Sequence, residues 1–187
     1  AGLMTGMPVG PLALHDEVSL SLSLHIMDQT RKDFEAEGKP YPEHPAEQII
    51  RKMVTELDRE GKKSGKGYYD YPADGKKQLW DGPAEHWPLA EKQLSVEEMK
   101  DRFLFIQANE TARCVEEGVV EGTGDANIGS IFGWGFAPWA GGTLQFINAT
   151  GIQRFVERSK ELAAAYGERF APADITVQMA SEQKKFS

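Results

Sequence analysis

The sequence predicts an all-α protein made of two related helical units, and three observations carry that prediction. Apolar residues recur at three- and four-residue spacing over most of the 187-residue chain, the pattern of helices that turn one face to a core. Helix punctuation is frequent, with Pro at the starts, Gly at the ends and a capping box at Ser95 and Glu98. Landmarks near the beginning also reappear about 126 to 130 residues later.

Taken in order, the first helix starts at Pro11, whose missing N–H costs nothing in a first turn. It is expected to run to about Glu37 and to stop at Gly38, with Pro40 and Pro42 beyond. Within it Ser19-Leu-Ser-Leu-Ser-Leu24 alternates as a half-buried strand would. The flanks lack turn residues and the run is too long for a strand, so helix is the reading. A second helix fits Pro45 to Glu60, where Ile49, Ile50, Met53, Val54 and Leu57 form one stripe. A third begins at Ser95 and ends at Gly118. Shorter helices fit Asp125–Phe132, Gly142–Asn148, Gly151–Tyr166 and Ala173–Lys184, with one hairpin around Tyr68 to Leu79.

The echoes pair Gly6-Met-Pro-Val-Gly-Pro-Leu-Ala-Leu14 with Gly135-Phe-Ala-Pro-Trp-Ala-Gly-Gly-Thr-Leu-Gln-Phe146, and Pro45-Ala-Glu with Pro172-Ala-Asp. A near-constant offset reads as a duplication. The first copy then occupies residues 1–72 and lacks its opening helix, whose counterpart in the second copy is Ser95–Glu117. Residues 73–94, with two prolines and no sustained periodicity, are the expected linker, and 95–187 the second copy. Two copies of one unit would pack as a pseudo-dimer. The second copy ends before any counterpart of Lys63-Ser-Gly-Lys-Gly-Tyr-Tyr69.

Composition narrows the function. With 21 basic and 29 acidic residues the net charge is −8, which argues against a nucleic-acid or membrane-surface binder. One cysteine, Cys114, excludes a disulfide framework and a cysteine-rich zinc site; on its apolar helix face it is expected to be buried and inert. No apolar run reaches the roughly 20 residues of a membrane span. The start at Ala1 reads as the edge of a longer polypeptide.

Motif tests are mostly negative. Gly61-Lys-Lys-Ser-Gly-Lys-Gly67 is one residue short of a phosphate-binding loop, has no Ser or Thr after Gly65-Lys66 and no preceding strand. A surface turn is the favoured reading, with an anion held by Lys62, Lys63 and Lys66 as the alternative. The glycines at 133, 135, 141 and 142 do not form a dinucleotide fingerprint. They fit a tight helix connection, with Trp134, Phe136 and Trp139 buried between helices. His15, His25, His44 and His86 have no metal-ligand spacing. His15, Asp16 and Glu17 cluster in sequence, but neighbours on a helix point apart. On residues alone the chain reads as a helical interaction or accessory domain.

Several phrases match one family in order. Gly6-Met-Pro-Val-Gly-Pro-Leu-Ala-Leu-His-Asp16 resembles a segment of the 3-hydroxyacyl-CoA dehydrogenase C-terminal domain, and Lys63-Ser-Gly-Lys-Gly-Tyr-Tyr69 resembles its closing motif. Glu110-Thr-Ala-Arg-Cys-Val-Glu-Glu-Gly118 and Asp125–Gly142 resemble the second copy of that domain in multifunctional fatty-acid β-oxidation proteins, of an actinobacterial type.

The resemblance implies a cytoplasmic parent enzyme that joins an enoyl-CoA hydratase to an NAD-dependent dehydrogenase. NAD and the catalytic residues would lie upstream of Ala1, so this chain holds no catalytic, cofactor or metal residue and is inactive alone. Met7, Pro8 and Gly10 would line the acyl pocket. Asp101 falls where the first copy's opening helix carries a catalytic Asn, which marks the second copy as structural. Acyl-CoA is the implied substrate and a thiolase β subunit the implied partner. The alternative is a structural module that docks the thiolase and has no catalytic role.

Overall fold

The computed structural model describes residues 1–187. The chain forms two compact units, Val9–Gln93 and Leu94–Ser187, and Ala1–Pro8 packs with the latter. These boundaries differ from the expected 1–72, 73–94 and 95–187. Residues 73–93 do not act as a linker, because Trp80 and Trp87 pack on the core of the first unit. Residues 1–8 join the second unit through Thr5, whose carbonyl accepts a 2.6 Å hydrogen bond from Trp139 Nε1.

The first unit contains α1 (Pro11–Val18), α2 (Leu20–Ala36), α3 (Pro45–Thr55), a hairpin of β1 (Tyr69–Asp70) and β2 (Gln78–Leu79), and the single turn α4 (Pro83–His86). In the antiparallel hairpin Tyr69 faces Leu79 and Asp70 faces Gln78. Leu20, Leu24, Ile50 and Met53 are the buried centre. They come from the predicted faces of α2 and α3. The helix expected over 11–37 is broken at Ser19, whose φ of 89° and ψ of 127° leave helical space. The break frees the Leu20 N–H to donate to Glu60 O at 2.8 Å, and Ser19 Oγ donates to the same carbonyl at 3.2 Å. The Ser-Leu alternation is helical after all, with Leu20 and Leu24 inward and Leu22 exposed.

The second unit contains α5 (Val96–Glu116), α6 (Thr123–Trp134), α7 (Thr143–Thr150), α8 (Ile152–Tyr166) and α9 (Asp174–Ser181). Ser95 Oγ accepts the Glu98 N–H at 3.1 Å, as a capping residue should. Ala108 and Ala112 are fully buried on α5 and let neighbouring elements approach. Phe105 stacks on Phe155 at 4.7 Å, and Phe146 meets Phe105 edge-on at 5.5 Å, both favoured ring geometries. Asn109, buried among them, donates to Ser159 Oγ and Phe170 O, each at 3.1 Å.

The glycine-rich connection behaves differently from expectation. Phe136 is fully buried, but Trp134 is 51% and Trp139 66% exposed. Each indole N–H has an acceptor at the unit's edge, Gln107 Oε1 at 3.0 Å and Thr5 O at 2.6 Å. Those bonds hold the rings outward. Gly142, at φ 105°, is required here, since a Cβ would lie 2.5 Å from the Asn127 backbone.

The two units share a chain path. α1 and α7 are each eight residues long, and each ends in one residue of positive φ, Ser19 at 89° and Gly151 at 87°. The longer helices α2 and α8 follow directly. These features are 132 residues apart, while Pro45, which opens α3, and Pro172, just ahead of α9, are 127 apart, because α8 and the segment after it are shorter than α2 and the segment after it. One helix, one break and one longer helix in the same order support the duplication.

Candidate functional site

In the first unit the three adjacent polar residues of α1 separate as a helix requires. His15 Nε2 lies 2.7 Å from Ser23 Oγ. Glu17 pairs with Lys62 at 2.7 Å. Asp16, 1% exposed, points into the closing motif. Its Oδ1 accepts the Tyr68 N–H at 2.8 Å, and its Oδ2 accepts the Tyr69 N–H and the Tyr71 hydroxyl, both at 2.9 Å. From the other side Arg59 donates through Nε to Gly67 O at 2.7 Å, and its Nη2 bonds Asp70 Oδ1. Its guanidinium lies 4.1 Å from the Trp80 ring.

This geometry explains the motif's glycines without a phosphate. A Cβ on Gly67 would lie 2.1 Å from Asp16 Oδ1, and one on Gly61, where φ is 123°, 2.6 Å from Asp16 O. The backbone must pass directly over a buried carboxylate, and only glycine leaves room. The segment is a clamp rather than the simple surface turn expected from its lysines. Two of those lysines serve ion pairs, Lys62 with Glu17 and Lys66 with Asp58.

The clamp governs nearby ionisation. Burial first, and Asp16 second, push the Tyr68 hydroxyl up to about 12. Burial, and then the hydrogen bond to Asp16, also raise Tyr71, so both phenols stay protonated at neutral pH. Burial lowers the His15 pKa against the opposing pull of Asp16, which favours the neutral ring. Asp16, closed in by three donors, is a structural anchor and not an available base.

The second unit has an equivalent clamp at Asn148, 132 residues after Asp16. Asn148 Nδ2 donates to Phe186 O at 2.9 Å, and Asn148 Oδ1 accepts the Phe186 N–H at 3.0 Å. Lys63-Ser-Gly-Lys-Gly-Tyr-Tyr69 itself has no counterpart among residues 172–187. The last residues perform the same task, though without the glycines, so sequence comparison alone passes over them.

A groove of about 690 Å³ lies between α5 and the α7–α8 arm. Leu104, Phe105 and Phe146 supply apolar lining, and Trp139 stands among the lining residues. Its polar side centres on Arg158, which bonds Asp101 at 2.8 Å, Glu161 at 2.9 Å and Glu98. Burial works against the guanidinium charge, but the hydrogen bonds to Glu98, Glu161 and Asp101 outweigh it and raise the Arg158 pKa. The same bond to Arg158 holds Glu98 below the usual carboxylate range. Asp101 is thus neutralised across the groove, an arrangement that ties α5 to α8.

The residues expected to line an acyl pocket fall in both units. Met7 and Pro8 pack with the second and Gly10 with the first. Met7 and Gly10 are half-buried and Pro8 is exposed, with its ring against Gly135. Cys114 is half-buried rather than buried and lines a mostly apolar recess of about 370 Å³ with Val120 and Trp134. Arg59, Asn148 and Arg158 were missed by sequence reasoning. Each has a partner distant in sequence, 8 residues away for Arg59, 38 for Asn148 and 60 for Arg158, and no local motif marks them.

Residues 1–71 match the 3-hydroxyacyl-CoA dehydrogenase C-terminal domain. The match ends at Tyr71, the last donor to Asp16, so the matched segment ends on its own clamp. Over 185 residues, 97% of the chain, the sequence is 35% identical to the fatty acid oxidation complex subunit alpha of Shewanella loihica. Over 182 residues it is 33% identical to the subunit of that name from Vibrio cholerae. The chain spans 25% of the length of these curated relatives. The crystal structure of 3-hydroxybutyryl-CoA dehydrogenase from Escherichia coli K12 has the same fold over 97% of this chain and 53% of its own, with a TM-score of 0.63 at 18% identity.

Proposed function

We propose that the chain is the helical, substrate-side quarter of a fatty acid oxidation α subunit, within an NAD-dependent 3-hydroxyacyl-CoA dehydrogenase. The observation that carries this reading is similarity along 97% of the chain to α subunits of fatty acid oxidation complexes. NAD is assigned to the polypeptide outside these residues. The one sheet here is a two-stranded antiparallel ladder, whereas dinucleotides sit at the carboxyl ends of parallel strands. The part of the present residues is to offer a helical wall, so that an acyl group is held in a dry cleft during hydride transfer.

The reading includes an acyl-CoA substrate, a hydratase (lyase) activity elsewhere in the polypeptide, a thiolase β subunit as partner and a cytoplasmic location. No helix is long and apolar enough to cross a membrane. Met7, Pro8 and Gly10 remain the proposed acyl-side residues. A docking role for the β subunit draws on α6, whose Ile128 and Phe132 are 60% and 85% exposed.

The test is NAD reduction with a 3-hydroxyacyl-CoA substrate. The full polypeptide is expected to reduce NAD, and the isolated 187-residue chain to show no more than a buffer control. A full polypeptide without this activity overturns the proposal. Activity in the isolated chain overturns the placement of its catalytic residues upstream.

A further inference from the structure

Ala1–Pro8 lies within the segment that matches the family, yet it packs with the second unit. Three contacts inside that unit fix it. Trp139 Nε1 donates to Thr5 O at 2.6 Å. The same indole lies against Gly6, where a Cβ would sit 2.8 Å from Trp139 Cδ1. The Pro8 ring lies in turn against Gly135, where a Cβ would sit 3.0 Å from Pro8 Cδ and Cγ. The lock is reciprocal, since each segment offers a glycine to a ring of the other. Both glycines have positive φ, 94° at Gly6 and 74° at Gly135, so a larger residue would be strained at either position as well as crowded.

Each side of the lock is itself held. Thr5 is fully buried, and its Oγ1 donates to Gly2 O at 2.6 Å. Gly6 closes the turn Leu3–Thr5 and donates its N–H back to Leu3 O. Opposite them, Trp139 stands in the turn Pro138–Ala140, between the buried Phe136, Ala137 and Ala140. The indole is thus presented from a packed turn to a packed turn. Side chains fixed by packing and hydrogen bonds can place a neighbouring group to a fraction of an ångström. The residues next after Gly6 are Met7 and Pro8.

We infer that Trp139 is a positioning residue for the dehydrogenase reaction. Through Trp139 on Thr5 and Gly6, and Gly135 on Pro8, the second unit sets the backbone of Met7 and Pro8. This rests on the reading of Met7 and Pro8 as acyl-side residues. It gives the second copy a part in the reaction although it supplies no reacting group. Orientation of a bound substrate is sensitive to small displacements of the groups that hold it. NAD is assigned to the polypeptide outside these residues, so the effect falls on the acyl substrate and not on the cofactor.

The test measures kcat and both KM values of the full polypeptide with a 3-hydroxyacyl-CoA substrate and NAD. Trp139→Phe keeps a ring against Gly6 and removes the N–H. It is expected to raise KM for the acyl substrate about fivefold, with kcat and KM for NAD within about twofold of wild type. Gly135→Ala presses on Pro8 from the other half of the lock and is expected to give the same split; if it does not fold, Trp139→Phe decides alone. Met7→Ala is the reference for an acyl-side residue and should raise the same KM. An unchanged acyl KM in Trp139→Phe beside a raised one in Met7→Ala overturns the positioning role. So does a fall in kcat, or a rise in both KM values together, because general loosening of the fold would produce either. An unchanged acyl KM in Met7→Ala overturns the acyl-side reading, and the positioning role falls with it. A wild-type polypeptide that does not reduce NAD overturns the dehydrogenase reading instead.

Discussion

The two units follow the same chain path and are held closed by different chemistry. The first closes around a carboxylate that accepts two backbone N–H groups and a phenol. The second closes around an amide that donates to one backbone group and accepts from the same residue. The first core is small, centred on four buried apolar residues, whereas the second has a much larger one built on stacked aromatic rings. A unit with little apolar burial depends more on its polar closure.

The largest expected effects separate core from surface within one connection. Phe136→Ala should cost about 3–5 kcal/mol, the usual loss for a fully buried ring, and Trp139→Ala less than about 1 kcal/mol, since most of its ring is already in water. Chemical denaturation of both variants checks this. Similar losses would mean that Trp139 is covered in solution.

Exchanging the clamps tests the comparison itself. Asp16→Asn replaces one acceptor oxygen with an NH2 donor facing backbone N–H donors and should destabilise the first unit by about 2–4 kcal/mol. Asn148→Asp sets a carboxylate oxygen against the Phe186 carbonyl and should cost the second unit about 1–3 kcal/mol. Hydrogen exchange at the Tyr68, Tyr69 and Phe186 amides reads each closure separately. If both clamps tolerate the exchange, they are not specific to their acceptors and donors.

The helix breaks provide a smaller test. Gly151→Ser should cost about 1–2 kcal/mol, because a side chain at φ 87° is strained. Ser19→Gly relieves that strain but loses the bonds to Ser21 and Glu60, for a net change within about 1 kcal/mol. Thermal melts of the two variants should therefore differ in size, and equal shifts would show that the breaks are not equivalent.

The smallest effect concerns pH. Burial depresses the His15 pKa below the ordinary value of an imidazole, so the unfolded chain takes up a proton more readily than the folded one. Stability is full above about pH 6.5 and declines as pH falls through the lowered folded value. His15→Gln should remove part of that decline between pH 7 and 5, measured by urea midpoints. An unchanged slope would place the acid sensitivity elsewhere. Glu47 and Glu98, both held below the usual carboxylate range chiefly by arginine hydrogen bonds, lose their contributions only at lower pH.

Local sequence determined the helices. The three- and four-residue apolar spacing, Pro11 and Pro45 at helix starts, Ser95 as a cap and Gly118 as a stop are all decided within a few residues, and the structure has them where the spacing puts them. The ordered phrases from Gly6 to Tyr71 likewise carry the resemblance to the 3-hydroxyacyl-CoA dehydrogenase C-terminal domain that residues 1–71 match. Tertiary structure alone decided three other things. It broke the first long helix at Ser19, because Leu20 and Ser19 find their acceptor at Glu60, about 40 residues away. It turned a lysine-rich segment into a clamp, because the reason for Gly67 is a carboxylate 51 residues earlier. It placed Trp134 and Trp139 outward, because their N–H groups meet acceptors at an edge. A hydrogen bond between distant residues leaves no periodicity in a sequence, and the unsatisfied cost of a buried polar group is incurred only when the chain has closed around it.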